Sequence, residues 1–122
     1  MTALVDTSVL VEDDASTDQA WSISVITLGE LEVGVLAARE ASTRARRLRR
    51  LTAVLAEAQV LPVDPTVAAR YGELRAATGR LPTNDLWIAA TALAHDLLLV
   101  TADERMAALP LVRSRLVGDA AS

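Results

Sequence analysis

The sequence predicts an α/β fold in which a mainly parallel sheet of four or five strands lies between layers of helices. Short apolar segments alternate with helical segments along the chain, which is the order typical of a parallel sheet. The chain has 122 residues, of which 52% are hydrophobic, and this length and content suit one domain with its own core. We therefore assign residues 1–122 to a single domain.

Four strands are predicted from short apolar runs, and a fifth from the apolar residues near the C-terminus. The four runs cover residues 3–5, 23–26, 60–63 and 97–100. The third strand is expected at an edge of the sheet because Pro62 has no backbone N–H to donate to a neighbour. The fourth is apolar throughout, which is typical of a central strand covered on both faces. The fifth is expected at residues 111–112 or 116–117.

Five helices are predicted to follow these strands, at about residues 28–40, 43–58, 65–78, 84–95 and 103–109. In the second helix, Leu48, Leu51 and Leu55 are expected to point into the core, with Arg46, Arg49 and Arg50 on the opposite side. Asp64 and Pro65 are typical of a helix start, as N-cap and first helical residue.

The composition excludes several kinds of chemistry. The absence of Cys excludes disulfides, thiolate metal sites and cysteine nucleophiles. All 12 basic residues are Arg, so lysine-dependent phosphate binding, Schiff bases and lysine-dependent aspartyl-phosphate chemistry are excluded too. The single His, His95, excludes a metal site built on a histidine pair and argues against a Ser-His-Asp arrangement. Carboxylates and hydroxyls remain as the reactive groups.

The formal net charge of −4 argues against nucleic-acid binding by a broadly basic surface. It is compatible with an enzyme whose acidic residues gather a divalent cation, which then contacts a phosphate. The start of the chain lacks the features of a signal peptide, and no apolar run reaches transmembrane length. We expect a cytoplasmic protein that does not enter a membrane.

Four acidic residues lie where ligands bind in parallel sheets, beyond the carboxyl ends of the strands. Asp6 directly follows the first strand, and Asp103 comes three residues after Val100. Glu30 lies in the first turn of the helix after the second strand, and Asp85 lies at the N-terminal end of its helix.

Each of these acids also has an ordinary structural explanation. Asp85 is explained as a cap or dipole complement and Glu30 as a solvated helix residue. Asp6 and Asp103 are explained as turn residues. Gathered at one edge, however, the carboxylates repel one another unless a cation lies among them. Oxygen ligands without His or Cys select Mg2+ or Mn2+ over zinc. The joint arrangement therefore favours a metal site.

Four short segments surround these acids, namely Val5-Asp6-Thr7-Ser8 and residues 24–31, 84–92 and 99–103. They resemble the motifs of the PIN-domain ribonucleases, specifically the VapC toxins of type II VapBC toxin–antitoxin systems. The motifs follow the family's order and span residues 3–106. Family members often carry another acid at the position of Arg105, so we assign no fifth carboxylate. The segment between Asp6 and Ser22 is short for the family, which predicts an early helix of about one turn.

The resemblance implies a three-layer α/β/α fold and a metal-dependent endoribonuclease that leaves a 5′-phosphate and a 3′-hydroxyl. It also implies a cognate VapB-like antitoxin that blocks the acidic site, and a homodimer that buries apolar helix surfaces between about residues 28 and 58. By the same resemblance, the catalytic residues and the ligands of Mg2+ or Mn2+ would be Asp6, Glu30, Asp85 and Asp103.

Some roles stay open at this point. Thr7, Ser8 and Thr101 are expected either to orient the ligands or water, or, for the first two, to cap a helix. The arginine-rich helix at residues 39–50 is either an RNA-binding surface or a solvated face. A non-catalytic, metal-binding PIN-like module that acts through protein or RNA binding is the alternative function. An aspartyl-phosphate phosphatase is disfavoured because a second Asp would be needed at Ser8.

Overall fold

The computed structural model describes residues 3–10 and 20–118. Its strands are β1 (Ala3–Val5), β2 (Trp21–Ser24), β3 (Gln59–Leu61), β4 (Leu98–Thr101) and β5 (Ser114–Leu116). They form one sheet in the order β3-β2-β1-β4-β5, and every neighbouring pair is parallel. The predicted fold class is confirmed, with β3 at an edge and β4 in the interior as expected.

Six helices connect and cover the strands of the described part of the chain. They are α1 (Thr7–Leu10), α2 (Val25–Ala37), α3 (Ala41–Glu57), α4 (Pro65–Ala77), α5 (Thr83–Ala94) and α6 (Glu104–Ala107). The early helix α1 has four residues, as expected, and the segment 11–19 lies outside the described residues. No helix of residues 3–10 and 20–118 is both long and apolar enough to cross a membrane.

The core consists of two apolar layers on opposite faces of the sheet, because successive strand residues point to opposite sides. Leu4 and Leu99 belong to the layer that includes the buried residues of α4 and α5. Val5 and Val100 belong to the other layer, which includes Leu10 and the buried part of α3. The sheet is therefore covered on both sides.

Helix α5 is enclosed by the rest of the first layer, with six buried residues between Leu86 and Ala92. Its alanines allow close packing, and Trp87 stacks on Tyr71 of α4 with ring centroids 4.0 Å apart. Helix α4 begins as predicted, since Asp64 accepts a hydrogen bond from the Val67 amide and Pro65 is the first helical residue. This packing fixes the N-terminal end of α5, which carries Asp85.

The boundary between β2 and α2 differs from the prediction. The strand ends at Ser24 rather than at residue 26, and the helix begins at Val25 rather than Leu28. The reason is a cap within the apolar run: the Ser24 hydroxyl accepts a hydrogen bond from the Ile26 amide at 3.0 Å. Glu30 consequently lies in the second turn of α2, not in the first.

The inward face of α3 also differs from the prediction. Leu51 is buried as expected, but Leu48 and Leu55 are 50% and 47% exposed. The side of α3 that faces its neighbours instead carries Leu51 and Val54, which are buried, with Arg47 and Arg50, which donate hydrogen bonds to the backbone carbonyls of Gly34 and Leu10. The expectation that Arg50 lies opposite the core is therefore wrong.

Smaller boundary shifts occur in the second half of the chain. The last strand occupies Ser114–Leu116 and overlaps the second predicted position only at Leu116. Helix α5 begins at Thr83, one position earlier than predicted, with Pro82 before it. Helix α6 is shorter than predicted because Asp103 is its N-cap and not its first residue.

Replacing Leu99 by Ala tests the two-layer core. Leu99 is fully buried in β4, so Leu99→Ala should lower the free energy of unfolding by about 2–5 kcal/mol. Leu116→Ala is the control, since Leu116 is 48% exposed in β5 and should cost less than about 1 kcal/mol. Urea unfolding followed by circular dichroism measures both. Equal losses for the two variants would contradict the assigned core.

Candidate active site

Asp6 lies at the centre of the site, directly after β1, and is only 3% exposed. Its amide donates to the Val100 carbonyl at 2.8 Å, which extends the pairing of β1 with β4. The hydroxyls of Ser8 and Thr101 each donate to Asp6 Oδ2 at 2.7 Å. These two bonds fix the orientation of the carboxylate, and neither hydroxyl bonds to Oδ1.

The same two hydroxyls hold the turn that comes after β4. The Ala102 amide donates to Ser8 Oγ at 2.9 Å, and the Asp103 amide donates to Thr101 Oγ1 at 3.0 Å. Asp103 Oδ1 in turn accepts a hydrogen bond from the Arg105 amide and caps α6. Asp103 is therefore a helix cap, whereas the sequence offered a turn residue as its ordinary structural explanation. A connected set of hydrogen bonds joins it to Asp6.

Glu30 is held by the elements on either side of α2. Thr7 Oγ1 donates to Glu30 Oε1 at 2.6 Å and lies 3.0 Å from Thr27 Oγ1. Asn84 Nδ2, in the first turn of α5, donates to Glu30 Oε2 at 3.3 Å. The contributions of Thr27 and Asn84 were missed from sequence. Asn84 directly precedes Asp85 at a helix start, which was the signal available for it.

Asp85 reveals how the four carboxylates affect one another. Its pKa is raised from the ordinary 3.8 to about 6. Burial is the largest cause, followed by the negative charges of Asp6, Asp103 and Glu30. The structure therefore brings all four predicted acids to the same edge of the sheet, close enough for their charges to interact.

Arg105 provides the positive charge nearest to these acids. Its Nη2 lies 3.2 Å from Asp103 Oδ2 and 4.0 Å from Asp85 Oδ2. The hydrogen bond to Arg105 is the main reason why the pKa of Asp103 is lowered. Because the Arg105 side chain is 62% exposed, these ion pairs are well screened by solvent.

The donor set suits a hard divalent cation, since it consists of carboxylate oxygens without His or Cys. Within the described ranges, however, no three acidic or imidazole side chains stand close enough together to enclose an ion. Asp85 and Asp103 are engaged with Arg105, which competes with a cation for the same oxygens. The carboxylate oxygens suit a divalent cation chemically. A bound cation would also relieve the repulsion between the carboxylates.

This chain is similar to known proteins over most of its length. Residues 3–111 match the PIN domain. Ribonuclease VapC4 of Mycobacterium tuberculosis is 42% identical over 120 residues, covering 88% of this chain and 91% of that protein. Ribonuclease VapC5 of the same organism is 41% identical over 117 residues, covering 87% and 86%.

The solved VapBC-5 toxin–antitoxin structure from Mycobacterium tuberculosis matches with a TM-score of 0.84 and 38% identity, covering 95% of this chain and 98% of that one. VapBC2 from Rickettsia felis shares the fold, with a TM-score of 0.81 at 22% identity and coverage of 95% and 98%. The chain therefore belongs to the PIN-domain family. Within that family it is a member of the VapC group, as the sequence motifs predicted.

Asp85 should destabilise the metal-free protein near neutral pH. Because its folded pKa of about 6 exceeds the ordinary 3.8, its ionisation opposes folding increasingly above pH 4 and fully above about pH 6. Asp85→Asn should therefore raise the free energy of unfolding at pH 7.5 by on the order of 1–3 kcal/mol, and the gain should vanish at pH 4.

Urea unfolding in EDTA between pH 4 and pH 8 measures this gain. Asp96→Asn is the control, since the Asp96 side chain is 85% exposed and lies away from the four acids beside Arg113. The electrostatic assignment fails if Asp85→Asn gives no gain at pH 7.5, or gives the same gain at pH 4.

Proposed function

We propose that this protein is a divalent-metal-dependent endoribonuclease that acts as the toxin of a toxin–antitoxin pair. The observation that carries the proposal is the gathering of four carboxylates at the carboxyl edge of the sheet, in a chain 42% identical to a protein named as a ribonuclease. A non-catalytic PIN-like module is the alternative, and no feature of the site favours it.

Asp6, Glu30, Asp85 and Asp103 are the proposed ligands of Mg2+ or Mn2+. When bound, the ion supplies positive charge for the scissile phosphate and makes an attacking water more acidic. Hydrolysis by in-line attack of water leaves a 5′-phosphate and a 3′-hydroxyl, as the resemblance implies.

The chain's own residues prepare the ligands for this role. Ser8 and Thr101 orient Asp6 by hydrogen bonds to one carboxylate oxygen. Thr7 and Asn84 hold the two oxygens of Glu30. Such bonds reduce the freedom that carboxylates lose when they coordinate an ion. Asp85, with a pKa of about 6, is ionised at neutral pH and becomes protonated in mildly acidic solution.

We propose a VapB-like antitoxin as the protein partner, since the similar solved structure from Mycobacterium tuberculosis is a VapBC toxin–antitoxin system. An acidic cleft is suited to accept a basic antitoxin side chain through charge-assisted hydrogen bonds. We also propose a homodimer and a cytoplasmic location. The dimer is supported by large apolar side chains that α2 and α3 leave exposed, namely Val33, Leu36, Leu48 and Leu55.

Cleavage of a mixed RNA pool by the purified protein tests the activity. We expect cleavage with Mg2+ or Mn2+ and none with EDTA. Asp6→Asn should lower the cleavage rate by more than the about 10–100-fold that is typical when a residue hydrogen-bonded to a metal ligand is replaced. Asp96→Asn is the matched control and should cleave like the wild type. Cleavage that persists in EDTA or in Asp6→Asn would contradict the proposal. Metal binding without cleavage would favour the non-catalytic module.

Thr101→Val tests the role of the buried hydroxyl. The substitution keeps the side-chain shape but removes a donor to Asp6, so Mn2+ affinity should fall by about 10–100-fold. Thr91→Val is the control, because the Thr91 hydroxyl is also buried but donates to the Trp87 carbonyl within α5. Calorimetric titration with Mn2+ measures both variants. Equal Mn2+ affinity in the two would disprove the positioning role.

A further inference from the structure

A cavity of about 350 Å3 lies beside Glu30, between α1, α2 and α3. It shares Thr7 and Glu30 with the candidate active site, so the two are adjacent. Its opposite wall carries Arg46, Arg47 and Arg50 of α3. Arg50 follows Arg47 by three positions and Arg46 by four, which places the three residues along one side of the helix.

Among the described residues, the lining of this cavity carries more positive than negative charge, unlike the neighbouring group of acids. Among the residues that the structure describes, Arg46 and Arg47 line this cavity together with one carboxylate, Glu30. The Glu30 oxygens already accept hydrogen bonds from Thr7 and Asn84. In a chain with a net charge of −4, this is a local concentration of positive charge next to the candidate metal site. A polyanion can therefore approach the acidic edge from this side.

Hydrogen bonds to the backbone hold two of the guanidinium groups at the cavity. Arg47 Nη1 donates to the Gly34 carbonyl at 2.8 Å, and Arg50 Nη1 donates to the Leu10 carbonyl at 2.5 Å. Arg47 uses one N–H in this bond, and its planar group retains others for a second acceptor. Guanidinium groups bind phosphate oxygens with paired, parallel hydrogen bonds.

We propose that this cavity binds a phosphate of the RNA strand adjacent to the phosphate that is cleaved. The inference rests on the proposed ribonuclease function and adds a subsite to it. Arg46 and Arg47 bind the phosphate, while Glu30 and Thr7 form the boundary with the catalytic edge. The subsite fixes how the strand enters and explains how a protein of net negative charge binds a polyanion. It also assigns the arginine-rich helix to RNA binding.

Binding of a fluorescein-labelled, mixed-sequence single-stranded RNA, measured by anisotropy, tests the subsite. All variants carry Asp6→Asn so that the RNA stays intact. The test variant is Arg46→Gln/Arg47→Gln. The control is Arg49→Gln, because Arg49 is an exposed arginine of the same helix that is not among the cavity-lining residues. We expect at least tenfold weaker binding in the test variant and less than twofold in the control.

The salt dependence of binding provides a second readout. The slope of log K against log salt should become shallower by about 0.7 for each phosphate that the test variant no longer neutralises. Arg46→Gln alone serves if the double variant does not fold, since Arg46 makes no hydrogen bond to the backbone among the described residues. Equal affinities and slopes for the test and control variants would overturn the subsite. It would also be overturned if the test variant weakened the binding of a protein partner but not the binding of RNA.

The result can be separated from the fate of the ribonuclease proposal. Metal-dependent cleavage by the wild-type protein, absent from Asp6→Asn, supports the activity whatever the arginine variants do. If that cleavage is present and Arg46→Gln/Arg47→Gln binds RNA like Arg49→Gln, the subsite alone is wrong. If RNA binding depends on Arg46 and Arg47 but the wild type does not cleave, the cavity binds RNA and the catalytic proposal is wrong.

Discussion

A buried carboxylate at the end of β1 is the constraint on which the rest of the site depends. Asp6 lies in the middle of the sheet, where its buried carboxylate needs hydrogen-bond donors in place of water, and two hydroxyls supply them. Those donors come from α1 and β4, so the same bonds that satisfy the charge also join the two elements. Fold and site share these hydrogen bonds.

The parallel sheet then determines which other groups meet Asp6. Every strand points the same way, so the residues directly after the strands collect at one edge, and four carboxylates gather there. This arrangement costs stability, as the raised pKa of Asp85 indicates. Arg105 offsets part of the repulsion from an exposed position. Retention of such repulsion is expected where selection acts on binding of a cation rather than on stability.

The sequence was sufficient where the signal is local. Asp64 and Pro65 predicted the start of α4, and the four acids were found because each lies close to a strand end or helix start. The sequence was insufficient where hydrogen bonds between residues far apart in the chain determine the structure. Nothing periodic marks the bond between Asn84 and Glu30, which are 54 positions apart. Hydrogen bonds join Arg47 and Arg50 to neighbouring helices, and that side of α3 faces inward while Leu48 is exposed.

The proposed activity requires that a divalent cation bind among the four carboxylates. Anomalous diffraction from crystals of the protein soaked in Mn2+ measures the position of the ion directly. We expect a Mn2+ peak within coordination distance of Asp6 and Asp85, with Arg105 displaced from its ion pairs. Absence of a peak among Asp6, Glu30, Asp85 and Asp103, with Arg105 still paired to Asp103, would contradict the shared metal centre.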